Sequence, residues 1–121
     1  MSQRILIIDD EPMVVKMLSA SITKSGYEVL SATQAEVGLE RALKEKPDLI
    51  VLDVMMPVIN GFHICRMLKS QPTYKMIPII LLTIRKEPEA VEMGKEMGAD
   101  AYLFKPVDMN QLLEKIRELL S

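Results

Sequence analysis

The chain has 121 residues and a formal net charge of -2, a length that suits one domain, expected over residues 1–121, and an acidic balance without the Lys/Arg stripe of a free-standing nucleic-acid binder. No stretch reaches the roughly 18 apolar residues that cross a bilayer, and the opening Met-Ser-Gln-Arg-Ile lacks a signal peptide's apolar region, so a cytoplasmic location is expected. A single cysteine forbids an intrachain disulfide, and 4% aromatics without tryptophan argue against a cofactor sandwiched between rings.

Arg4 to Ile8 is a short aliphatic run, read as a strand, that ends in Asp9-Asp10-Glu11-Pro12. A 3.6-residue pattern follows at Val14, Met17, Leu18 and Ile22; Pro12 suits a first helical turn, an Asp before it can cap, and Gly26 is a stop. Tyr27 to Ser31 reads as a second strand, with Thr33 as N-cap of a helix carrying Ala35, Leu39, Ala42 and Leu43 on one face until Pro47-Asp48 breaks it. Leu49 to Leu52 is unbroken apolar sequence, the mark of a buried parallel strand. It ends in a lone carboxylate, Asp53, before a turn bearing Pro57 and Gly61.

Asn60-Gly61 opens a third helix with Ile64, Cys65 and Leu68 inward, closed by Gln71-Pro72-Thr73, and Cys65 is expected as core packing. Ile77 to Leu82 reads as a fourth strand ending on Thr83. Glu87-Pro88 starts a fourth helix through Ala90, Gly94 and Met97 that Gly98 ends. Ala101 to Phe104 is a fifth strand stopping at Lys105-Pro106, and Asp108 caps a last helix with Met109, Leu112, Leu113, Ile116 and Leu120 inward.

Five strands alternating with five helices predict an α/β fold with a doubly wound, flavodoxin-like parallel sheet, order 2-1-3-4-5, and helices on both faces. The switch point then falls between strands one and three, where ligands bind in such sheets. Strand ends one, three, four and five bring together Asp9, Asp10, Asp53, Thr83 and Lys105. Three carboxylates within about 4 Å repel by several kcal/mol, so they call for a cation, and an all-oxygen ligand set favours Mg2+. A phosphoryl group beside that ion would find positive charge and a donor in Lys105 and Thr83, and an Asp can itself be the nucleophile that becomes an acyl phosphate.

In its full set of motifs the chain resembles the receiver domain of two-component response regulators. The resemblance covers essentially the whole chain and is carried by the pair Asp9-Asp10, by Asp53 in Leu-Asp-x-x-Met-Pro-x-x-x-Gly ending at Gly61, by Thr83, and by Lys105-Pro106 with Tyr102 three residues before the lysine. It implies a phosphorylation-dependent signalling switch rather than an enzyme acting on others, one that catalyses its own phosphoryl transfer and dephosphorylation. Asp53 is the implied phosphoacceptor, served by a histidine kinase or a histidine phosphotransfer protein. Asp10, Asp53 and the carbonyl of Met55 would bind Mg2+ directly, with Asp9 acting through water. Thr83 and Lys105 would grip the phosphoryl oxygens, with a cis Lys105-Pro106 bond aiming the lysine inward. Thr83 and Tyr102 are the implied switch residues, and the face of helix 4, strand 5 and helix 5 is the output toward a downstream effector protein or domain. A monomer or a phosphorylation-dependent dimer is expected, without direct nucleic-acid or membrane binding.

Two features depart from the family's usual pattern. Ile84 stands where a small residue is common and would act as a gate over the phosphoryl group; Met55 and Arg85 carry neither an amide nor an acid to position an attacking water. Other classes fit less well. An FMN binder of flavodoxin type needs a Ser/Thr/Gly-rich phosphate loop after strand one, where Asp9-Asp10-Glu11-Pro12 stands. An Asp-nucleophile phosphohydrolase places its two Asp residues two apart and carries a cap domain. A phosphorylation-independent interaction module on the same fold usually loses the acceptor or the acidic pair.

Overall fold

A computed structural model describes residues 2–121. Along the chain run β1 (Arg4–Ile8), α1 (Pro12–Lys24), β2 (Glu28–Ala32), α2 (Ala35–Glu45), β3 (Leu49–Asp53), α3 (Gly61–Lys69), β4 (Ile79–Thr83), α4 (Pro88–Glu96), β5 (Ala101–Phe104) and α5 (Met109–Leu120). The strands form one sheet, β2-β1-β3-β4-β5, with every neighbouring pair parallel. This is the doubly wound, flavodoxin-like order expected from the alternation of elements.

Successive strand side chains point to opposite faces, and here both faces are covered, so the apolar runs divide between two cores. Ile5, Ile7, Val51, Ile80 and Leu82 pack with Val15, Leu18 and Ile22 of α1 and Leu112 and Ile116 of α5. Leu6, Ile8, Ile50, Leu52, Ile79 and Leu81 pack with residues of α2, α3 and α4, among them Ala42, Leu68 and Ala90. Each fully buried Leu or Ile contributes about 1.5–3 kcal/mol of transfer free energy, which is what holds a sheet whose middle strand is buried along its whole length. Cys65 belongs to the second core, and burial pushes its thiol up to about 11.

Several boundaries differ from the sequence reading for local reasons. β2 begins at Glu28 because it is that residue which pairs with Arg4, and the strand runs on to Ala32 opposite Ile8. The N-cap of α2 is therefore Gln34, without a side-chain cap, and not Thr33. β4 starts only at Ile79, since Pro78 has no N–H to give to a ladder and contributes its carbonyl to Ile50 instead. α1 is preceded by Glu11 with no side-chain cap; Asp9 Oδ1 accepts the Glu11 N–H at 2.9 Å, so it is Asp9 rather than Asp10 that ties down the entry to the helix. Asp108 caps α5 as expected, accepting the Gln111 N–H at 3.1 Å, and Asn60, at the opening of α3, accepts the His63 N–H at 3.0 Å.

Candidate functional site

Parallel register fixes which side chains emerge together at the carboxyl edge. Ile8 pairs with Leu52, so Asp9 and Asp53 leave the sheet side by side; Leu82 pairs with Asp53, and Thr83 with Phe104, so Thr83 and Lys105 complete the same corner. Asp9, Asp10 and Asp53 each place a carboxylate oxygen within 4.8 Å of the others. Asp9 and Asp53 are buried while Asp10 is the more open of the three.

Lys105 reaches into this cluster with a side chain only 10% exposed, its ammonium 2.8 Å from Asp9 Oδ2 and 3.5 Å from Asp53 Oδ1, and it also meets Glu11 Oε1 at 3.0 Å. The Lys105-Pro106 bond is cis, as expected. Burial opposes the charge on Lys105, but the carboxylates of Asp9, Glu11 and Asp53 outweigh it and raise its pKa. Asp53 moves the other way for an acid: burial, then the neighbouring Asp9 charge, push it up from 3.8 to about 7 against the pull of Lys105 and the Met55 N–H. That N–H donates to Asp53 Oδ1 at 3.2 Å.

The donor set fits a hard divalent cation. It is made of oxygens, it is crowded, and Asp9 Oδ2 is buried without an aligned hydrogen-bond donor although the Lys105 ammonium lies 2.8 Å away. The loop that carries these groups is built around Gly61. A β-carbon there would stand 2.3 Å from the Asp53 carbonyl oxygen and 2.8 Å from Val54 Cα, while the Gly61 N–H donates to the Val54 carbonyl at 2.9 Å. The same loop holds Val58 at φ +72°, a left-handed conformation rare for a β-branched residue, with the side chain 87% exposed.

Thr83 is fully buried and its Oγ1 accepts the backbone N–H of Arg85 at 3.0 Å. The Tyr102 hydroxyl donates to the carbonyl of that same Arg85 at 3.0 Å, and the ring lies edge-on to Phe104 with centroids 5.6 Å apart. Gly94 of α4 makes room for it: a β-carbon there would meet the Tyr102 ring at 2.7 Å. Ile84 is 68% exposed beside Thr83 in sequence, and Met55 is half exposed. The Arg85 guanidinium pairs with Glu87 at 2.8 Å and lies 5.9 Å from the centre of the Phe62 ring. Reading the sequence missed two links: Glu11, taken only as part of an acidic corner although it faces Lys105, and the Arg85 backbone, which joins Thr83 to Tyr102. Neither follows from residue type or spacing.

A family model described as the response regulator receiver domain matches residues 5–117. The chain is 39% identical over 120 residues to the alkaline phosphatase synthesis transcriptional regulatory protein PhoP of Bacillus subtilis, covering 99% of this chain and 49% of PhoP. It is likewise 39% identical over 118 residues to protein PilH of Pseudomonas aeruginosa, covering 98% of each. Among solved structures, chemotaxis protein CheY4 of Vibrio cholerae superposes with a TM-score of 0.92 at 34% identity, covering 99% of this chain and 100% of that one. The chain spans half or less of the length of several of the curated relatives it matches.

Proposed function

The chain belongs to the response regulator receiver domain family, and from that premise we propose that it is a phosphorylation-dependent switch in which Asp53 accepts a phosphoryl group from a histidine kinase or a histidine phosphotransfer protein. The observation that carries the assignment is the seat of Asp53: a buried carboxylate between an acidic pair and a buried ammonium, at the topological switch point of the sheet. A desolvated carboxylate held within reach of a cation is suited to nucleophilic attack on an electrophilic phosphorus.

A carboxylate oxygen of Asp53 forms the new P–O bond of an acyl phosphate while the P–N bond of the donor's phosphohistidine breaks. The electron pair returns to the imidazole nitrogen, which then takes a proton. Asp10, Asp53 and the Met55 carbonyl, with Asp9 through water, would hold Mg2+, which would supply positive charge to offset that of the phosphoryl oxygens. Lys105 supplies a second positive charge, and the Thr83 hydroxyl, whose oxygen accepts the Arg85 N–H, keeps its own hydrogen to donate to the phosphoryl group as it turns toward it. The chain itself catalyses this transfer and the later hydrolysis. Because Arg85 joins Thr83 to Tyr102, movement of Thr83 toward the new charge removes one bond of that link and loosens the other. The surface of α4, β5 and α5 changes with it, and that surface addresses the effector. We place the domain, residues 1–121, in the cytoplasm, where such kinases present phosphohistidine.

Intact mass after incubation with Mg2+ and acetyl phosphate tests the assignment. The wild type should gain one acid-stable, base-labile phosphoryl group and Asp53→Asn none; an unmodified wild type with both a kinase and a small donor refutes it.

A further inference from the structure

We propose that Glu11 is a positioning residue that competes with the phosphoryl group for the Lys105 ammonium and so acts as a brake on the site. The inference rests on Asp53 being the acceptor and goes beyond it, because Glu11 lies outside the trio of carboxylates suited to the cation.

An ammonium has three N–H donors, and Lys105 faces three carboxylates: Asp9 at 2.8 Å, Glu11 at 3.0 Å and Asp53 at 3.5 Å. Asp9 Oδ2 is not aligned to accept from it and Asp53 is 3.5 Å away, so its short hydrogen bond is the one to Glu11 Oε1, and a phosphoryl oxygen on Asp53 competes with that bond for the ammonium. Asp9 and Asp53 are 1% and 3% exposed and held in place by the sheet. Glu11 has a side chain 61% exposed, offers no cap to α1, and among the described residues has Lys105 as its ion-pair partner. It is the carboxylate that can leave for water at least expense. Its backbone is anchored all the same: the N–H of Glu11 is tied to Asp9 Oδ1 at 2.9 Å and Pro12 follows at once, so the root of the side chain stays over the site whether or not the carboxylate is engaged. Glu11 therefore opposes uptake of phosphate by occupying Lys105 beforehand. After transfer it draws Lys105 back from the acyl phosphate and shortens its life.

The test uses the 121-residue chain with Mg2+ throughout, comparing wild type with Glu11→Gln, which keeps the shape and removes the charge. Glu11→Gln should take phosphate from acetyl phosphate roughly three- to fivefold faster and lose it correspondingly more slowly, the size expected for a partly exposed ion pair. The nitrogen resonance of the Lys105 ammonium supplies the readout that a merely structural role would not move. It should differ between the two proteins when free and differ less when beryllofluoride occupies the phosphoryl position. Unchanged rates, or a Lys105 resonance that is the same in both proteins when free, overturns the brake. A wild type that takes up no phosphoryl group overturns the acceptor assignment and the brake with it, and Asp53→Asn marks the background for that case.

Discussion

Asp53→Asn should make the metal-free protein more stable, and increasingly so as pH rises from 3.8 through about 7. A buried acid whose pKa is raised binds its proton more tightly folded than unfolded. The stability it contributes is complete below the unfolded value of 3.8 and is lost as pH rises through about 7. At ~1.4 kcal/mol per unit, that interval sets a ceiling of ~4 kcal/mol on the penalty at pH 8. Two structural facts reduce it: the neutral amide of the variant would forgo the pull of the Lys105 ammonium 3.5 Å away, and Asp10 leaves the cluster open to water on one side. A gain of about 1–3 kcal/mol at pH 8 remains, or roughly 3–10 °C in melting temperature for a chain of this length. At pH 5 the folded carboxyl is protonated while the unfolded one is not, so roughly two fifths of the gain should remain, and it vanishes only below the unfolded value of 3.8. The assay is thermal melting by circular dichroism in EDTA at the two pH values, repeated with millimolar Mg2+, which should stabilise the wild type more than the variant at pH 8. Equal gains at pH 5 and pH 8 would refute the idea that desolvation and the Asp9 charge burden this carboxylate.

Other substitutions probe the loop, its cap and the gate. Gly61→Ala drives a β-carbon against the backbone of Asp53 and Val54 and should destabilise by about 2–4 kcal/mol while blunting the melting response to Mg2+; a shift under about 1 kcal/mol in urea titration would mean that the loop yields freely. Val58→Gly relieves a left-handed valine with an exposed side chain and should stabilise by about 1 kcal/mol in the same titration. Asn60→Ala removes the cap on the His63 N–H and should lose about 1 kcal/mol. Ile84→Ala removes an exposed side chain next to Thr83 and should speed phosphorylation by acetyl phosphate and shorten the phosphorylated lifetime at unchanged melting temperature. Rates within about twofold of wild type would leave Ile84 without a gating role.

Much of the fold was legible because strand ends here are chemically abrupt. Ile8 gives way to Asp9, Leu52 to Asp53 and Leu82 to Thr83, and a parallel sheet turns such breaks into one shared edge. Boundaries failed where pairing partners decided them: the missing N–H of Pro78 delayed β4, and the pairing of Ile8 with Ala32 carried β2 one residue past Ser31. Thr33 has the right chemistry for a cap, but the ladder ended one residue too late for it to serve. Within the site, Glu11 and the Arg85 backbone escaped notice because their roles depend on side-chain reach across 94 residues of sequence and on a main-chain carbonyl, which every residue type possesses equally.

The sheet also acts as a partition. Helices α1 and α5 share one apolar compartment and α2, α3 and α4 the other, and the buried residues of the two do not overlap. Substitutions on opposite sides, such as Leu18→Ala and Leu68→Ala, should therefore add within about 0.5 kcal/mol. Each compartment can drift in sequence without its neighbour being repaired. Only at the carboxyl edge does the partition end, where groups from the ends of β1, β3, β4 and β5 share one corner, and there a change on one strand is felt by the rest. Accumulated mutation should thus leave the two interiors free to diverge while the edge moves as a unit or not at all.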